Sequence, residues 1–100
     1  MTTLFTISRS WHNNHWLFEK IAFASPGDAI LLIEDAVVGL QASLTLASFI
    51  AKCSAAKIGV YALKEDVLLR GVDNAYPEIQ LIDYVGFVEL TIQHGKQVAW

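Results

Sequence analysis

Tyr61-Ala-Leu-Lys-Glu-Asp-Val-Leu-Leu-Arg-Gly71 reads as a strand that turns directly into a very short helix. Glu65 and Asp66 fall in the first turn, where the helix dipole favours negative charge. Arg70 falls in the last turn, where positive charge is favoured. Asp66 and Arg70 stand four apart in the acid-first order, so they can pair on one face. Gly71 ends the helix. One or two turns of helix need all of these aids to persist. Local structure therefore accounts for each of these charges without a catalytic role.

Upstream, the same alternation of strand and helix repeats. Lys57 to Leu63 is a third strand, preceded by a long helix from Gln41 to Cys53 that carries no charge until Lys52. Ala29 to Ile33 is a second strand. It is apolar at every position, which fits burial on both faces of a parallel sheet. Ser25-Pro26-Gly27-Asp28 is a turn. His15 to Ala24 has helical spacing, with Trp16, Ile21 and Phe23 apolar and Glu19 and Lys20 outward. Arg9 to Asn14 is a polar loop, and Thr3 to Ile7 a first strand.

Downstream, Glu78 to Ile82 is a fourth strand. Asp83 suits a helix N-cap, its carboxylate accepting from the free amides of the first turn. Tyr84, Phe87, Val88 and Thr91 share one helical face, and Gly95 can close the helix in a left-handed conformation. Lys96 to Trp100 is a short tail, a candidate edge strand. Strands alternating with helices imply right-handed crossovers and a parallel sheet. The expected fold is α/β: a small three-layer flavodoxin-like domain over residues 1–100, with a mostly parallel sheet of four or five strands.

Of the 100 residues, 54% are hydrophobic, and the mean hydropathy is +0.42. A domain of this size buries only about 60–70% of its unfolded surface. Surplus apolar surface marks an interface, so an obligate subunit is expected. The neutral helix adds to this, since it must be covered on more than one side. No apolar run approaches the roughly 20 residues of a membrane span, and the N-terminus lacks a signal-peptide pattern. Cys53 is the lone cysteine, so no internal disulfide can form. A cytoplasmic protein is the simplest account. The net charge is −3 with Lys and Arg scattered, which argues against direct nucleic-acid binding.

Sites in open parallel sheets form beyond the carboxyl ends of the strands. The candidates there are Ser8 to Ser10, Glu34-Asp35 and Lys64 to Asp66. A crevice at Ser8, Asp35 and Lys64 could hold a small ligand or nucleotide, although Gly27, Gly39, Gly59 and Gly71 form no phosphate loop. Glu34 and Asp35 are adjacent, so their side chains diverge unless the turn is unusual. His12 and His15 are three apart but lack a third metal ligand nearby, so neither a metal nor a cofactor is expected. Trp11 and Trp16 flank them as packing residues or interface anchors. A reactive thiol needs an electropositive, accessible position. Cys53 lies near a helix C-terminus instead, with Lys52 and Lys57 as partial compensation, and reads as structural. No catalytic residue is assigned; Cys53 is the one candidate.

Leu31-Leu32-Ile33-Glu34-Asp35, Tyr61 to Asp66, Arg70-Gly71, Asp83-Tyr84-Val85-Gly86-Phe87-Val88 and Ala99-Trp100 together resemble the TusB/DsrH family. The match runs in order along nearly the whole chain. It implies the small α/β fold of the DsrE/F/H-like group. It also implies a subunit of a TusB–TusC–TusD complex, two copies of each, with TusC-like and TusD-like partners. That complex relays persulfide sulfur from TusA toward TusE, for 2-thiolation of the wobble uridine of certain tRNAs. The related DsrEFH complex acts in sulfur oxidisers, and DsrH there carries a first-helix cysteine. That position falls at about Lys20 here, so no catalytic cysteine is carried over, and the resemblance is closest to the TusB branch. Two alternatives stand beside this reading: a DsrH-like subunit in sulfur oxidation, and a persulfide carrier using Cys53.

Overall fold

The computed structural model describes residues 2–11, 16–41, 44–73 and 76–100. Within them lie β1 (Thr3–Ile7), α1 (Trp16–Ile21), β2 (Ala29–Leu32), a 3-10 helix (Glu34–Leu40) and α2 (Leu44–Ala55). They are followed by β3 (Gly59–Leu63), α3 (Lys64–Leu69), β4 (Ile79–Ile82), α4 (Tyr84–Gln93) and β5 (Lys96–Ala99). All strand pairs are parallel, in the order β4-β3-β2-β1-β5. The expected three-layer parallel build is present with five strands, and the tail is the edge strand β5. Four strands are laid down side by side and the fifth returns to the far side of β1. Flavodoxin itself uses the order 2-1-3-4-5.

Handedness decides which helix covers which face. The crossovers from β1 to β4 all step one way, so right-handed connections place α1, α2 and α3 on one face. The crossover from β4 to β5 runs back, placing α4 on the other. The core divides accordingly. One large cluster joins Phe5, Ile7, Ile30 and Leu32 to Leu17, Phe49, Cys53 and Val67. A small cluster of Leu4, Ala29, Leu31 and Leu90 forms on the α4 side. β2 is buried at all its positions because its alternate residues feed both clusters.

Trp11 anchors the larger cluster. Its indole is fully buried, donates from Nε1 to the Ala36 carbonyl at 3.0 Å, and lies against the Phe49 ring with centroids 4.7 Å apart. At the sheet edge Trp100 stacks on Phe5 at 3.9 Å. Asp28, itself buried, accepts from the amides of Thr3 and Ser25, both at 2.8 Å, tying the turn before β2 to the start of β1.

Helix ends depart from the sequence reading in instructive ways. α3 closes as expected on Gly71, whose φ is +63. Gly71 donates to Leu68 and Val72 to Val67, the paired bonds of a Schellman cap. α2 closes with the same pair, Lys57 to Ser54 and Ile58 to Cys53, but here a lysine takes the left-handed position, with φ 60. α4 starts on the expected cap, with Gly86 donating to Asp83 Oδ1 at 2.9 Å. It ends differently: His94 is already extended, and the glycines with positive φ are Gly27 and Gly71, not Gly95.

Three helical expectations are corrected. α1 ends at Ile21, not Ala24, and buries Leu17 and Ile21, while Phe23 is 79% exposed beyond its end; the expected start at His15 lies outside the described residues. α2 (Leu44–Ala55) follows a separate 3-10 helix, and this chain by itself buries one side of it: Leu46, Phe49, Ile50 and Cys53. Its outer side carries Ser, Thr and Ala beside the exposed Leu44 and a single charge, Lys52. α4 turns Phe87 and Leu90 toward the sheet, leaving Tyr84 and Val88 exposed.

Candidate functional site

β1 to β4 all deliver their carboxyl ends to one edge of the sheet, and the chain's clustered charges collect there. At the end of β2, Glu34 adopts a left-handed conformation with φ 51. This is the unusual turn that adjacent carboxylates require. The Glu34 amide donates to Asp66 Oδ2 at 2.7 Å. Asp35 is carried round to Arg70, whose Nε and Nη2 both reach Oδ1, at 3.3 and 3.2 Å. Arg70 Nη1 also lies 3.7 Å from Asp66 Oδ1, which realises the pairing expected within α3.

The result is a clasp between the β2 turn and α3. Both carboxylates are engaged with Arg70, and Asp66 also satisfies a backbone amide. They are poorly placed for proton transfer. Ser8 and Lys64 take no part in these bonds; the sequence had grouped them with Asp35. One oxygen of Glu65 is buried without a hydrogen-bond partner among the described residues.

The strand order reveals a crevice the sequence reading missed. α3 leaves β3 toward one face and α4 leaves β4 toward the other, which makes the gap between these strands the topological switch point. A pocket of about 450 Å³ opens there, lined by Lys64, Ile82, Asp83, Val85, Gly86 and Glu89, among others. Its location follows only from knowing that β5 returns past β1. The Asp83 carboxylate is already used as the α4 cap, and the lining contains no thiol, hydroxyl or imidazole.

Cys53 lies elsewhere, on the inner face of α2, 1% exposed. Burial pushes its thiol up to about 12. A thiol held in that state is protonated at neutral pH and a poor nucleophile. A small cavity of about 150 Å³ adjoins it, lined mainly by Ile50, Ser54, Ile58 and Ile79. Lys20 occupies the last turn of α1. His12 and His15 lie outside the described residues. Among the described residues no cluster of His, Cys, Asp or Glu is arranged to hold a metal, and no single helix is long and apolar enough to cross a membrane.

Sheet order, three-layer build and the charged β2–α3 edge place the chain among the small parallel α/β proteins. The family model described as "DsrH like protein" matches residues 10–97, and the chain belongs to that family. Two relatives carry the name Protein TusB. One, from Photorhabdus laumondii, is 45% identical over 76 residues, covering 74% of this chain and 76% of the relative. The other, from Escherichia coli K12, is 38% identical over 93 residues, covering 89% and 95%. The crystal structure of the ychN protein from E. coli superposes over the full length of both chains with a TM-score of 0.71 at 13% identity, a likeness of fold alone.

Proposed function

We propose that the chain is a non-catalytic subunit of a TusBCD-type sulfur-relay complex. In this reading it assembles with TusC-like and TusD-like subunits into a cytoplasmic heterohexamer. The assembly passes persulfide sulfur from TusA toward TusE, for 2-thiolation of the tRNA wobble uridine. The relatives named Protein TusB support a sulfur-relay role in general. The observation that carries the non-catalytic role is the burial of Cys53 with its thiol pushed up to about 12. A relay cysteine must meet an incoming persulfide as an accessible thiolate, and this one is neither.

Co-expression with the TusC and TusD homologues of the same genome tests the reading. A single co-eluting complex is expected. It should support uridine thiolation equally well with wild type and Cys53→Ser. A chain that elutes alone in the presence of both partners overturns the assembly. Loss of thiolation in a folded Cys53→Ser complex, together with added sulfur on Cys53 by intact mass, favours the persulfide-carrier alternative. Lys20, standing where the resemblance puts the DsrH thiol, weighs against the sulfur-oxidation alternative.

A further inference from the structure

One peptide plane at the end of β2 carries two hydrogen bonds that point opposite ways. Its N–H belongs to Glu34 and donates to Asp66 Oδ2 on α3 at 2.7 Å. Its carbonyl belongs to Ile33 and accepts from the Ala36 amide at 3.0 Å. The two groups of a trans peptide face in opposite directions, so both bonds are lost together if the plane turns over.

The chain is anchored on either side of this plane. The Ile33 amide donates to the Ile7 carbonyl at 2.9 Å, which fixes it to the sheet. The Ala36 carbonyl accepts from the Trp11 indole at 3.0 Å, and Ala36 is fully buried. Between these anchors Glu34 and Asp35 are exposed, so the plane can turn without displacing core side chains.

The plane is under opposing loads. At φ 51 Glu34 is left-handed, a conformation that a residue with a Cβ resists. Turns with positive φ at the first central residue normally place Gly, Asn or Asp there. The 3-10 helix that follows runs for seven residues, with no side-chain cap at its N-terminus, whereas runs beyond three or four are uncommon. Against this stands one charge-assisted bond, to a carboxylate that Arg70 Nη1 steadies from 3.7 Å. The cost of the left-handed backbone and the worth of such a bond are of the same order. Backbone strain of this kind collects at switch regions.

We infer that the Ile33–Glu34 peptide is a two-position switch set by α3. With Asp66 in reach, the plane keeps both bonds and the turn stays closed. When α3 withdraws Asp66, the plane turns over, Glu34 returns to negative φ, and the Ala36 amide loses its acceptor. The start of the 3-10 helix thus registers the position of a carboxylate 32 residues further along the chain. The inference does not depend on the sulfur-relay reading.

Its test is amide hydrogen exchange on the full-length chain, followed residue by residue by NMR, with Ile33 as the internal reference. Losing Asp66 frees the Glu34 amide in any case, but only a turned plane also frees that of Ala36. In Asp66→Ala both should exchange faster relative to Ile33, by roughly tenfold or more for one charge-assisted bond. Glu34→Gly removes the left-handed penalty, so adding it to Asp66→Ala should return Ala36 to slow exchange. Glu34→Val approaches from the other side. A β-branched residue strongly resists positive φ, so Ala36 should open with Asp66 still in place. Glu34 is exposed, so this variant reads the switch whether or not Asp66→Ala folds. An Ala36 rate unchanged relative to Ile33 in Glu34→Val, or in folded Asp66→Ala, overturns the inference. So does a double variant whose Ala36 amide stays as fast as in Asp66→Ala. None of these rates bears on co-expression with TusC-like and TusD-like chains.

Discussion

Gly39 lies so close to Trp11 that a methyl group placed on it would come within 2.5 Å of the indole Cε2. The 3-10 helix can pack this closely on Trp11 only because this residue has no side chain. The indole is itself pinned by its bond to Ala36 and by Phe49, so it cannot swing away. We predict that Gly39→Ala destabilises the fold by about 1–3 kcal/mol through overpacking, read as a lower urea midpoint with unchanged slope.

The two Schellman caps offer a matched pair. At Gly71 an added Cβ meets nothing within 4 Å, so Gly71→Ala carries only the backbone cost of φ +63, roughly 1–2 kcal/mol. Lys57 already bears that kind of cost at φ 60. Lys57→Gly should therefore be neutral or stabilising, by up to about 1 kcal/mol. The two melting temperatures should move in opposite directions, or only the Gly71 variant's should fall.

The clasp around Arg70 is unequal. The Asp35 side chain is 72% exposed and that of Asp66 14%. An exposed ion pair contributes little, so Asp35→Ala should cost under about 0.5 kcal/mol. Asp66→Ala also strips the Glu34 amide of its acceptor in a left-handed turn, and should cost roughly 1–2 kcal/mol. Adding salt should reduce the Asp35 effect and leave most of the Asp66 effect. Equal losses for the two variants would contradict this ranking.

Cys53 sets a pH dependence. Its thiol ionises near 9.0 when unfolded and at about 12 in the fold. Below pH 9 both states hold the proton, and the contribution is fully present. Between about 9 and 12 the unfolded chain releases the proton while the folded chain keeps it, so stability falls as pH rises. Cys53→Ala should flatten this part of the stability profile relative to wild type. In the native protein at neutral pH, a thiol reagent should label Cys53 only as fast as the fold opens.

What the sequence made legible was local. The β3–α3 unit, the Ser25–Asp28 turn, the Asp83 cap and the Asp66–Arg70 pair each rest on residues a few positions apart. The tertiary partner of Arg70 could not be read, because Asp35 reaches it only after Glu34 adopts a left-handed conformation that its residue type does not announce. Lys57 hid a helix end for the same reason. The direction of α4 was ambiguous because Tyr84, Val85, Val88 and Ile92 make an apolar face as convincing as Phe87 and Leu90; only the return crossover decides between them. The pocket between β3 and β4 depends on strand order, which periodicity does not encode.

That return crossover also orders events in time. β1 to β4 pair with their neighbours in sequence, so each can dock as the chain lengthens, but β5 joins β1 across more than ninety residues, Thr3 aligning with Lys96. The Thr2 hydroxyl meets His94 Nδ1 at 2.7 Å over a similar separation. Closing so long a loop is entropically costly and slows folding. During synthesis, the outer edge of β1 stays without a strand neighbour until residues 96–99 have left the ribosome. The nascent chain thus carries an open β-edge until β5 emerges, the window in which a chaperone or a wrong neighbour has the best chance to engage it.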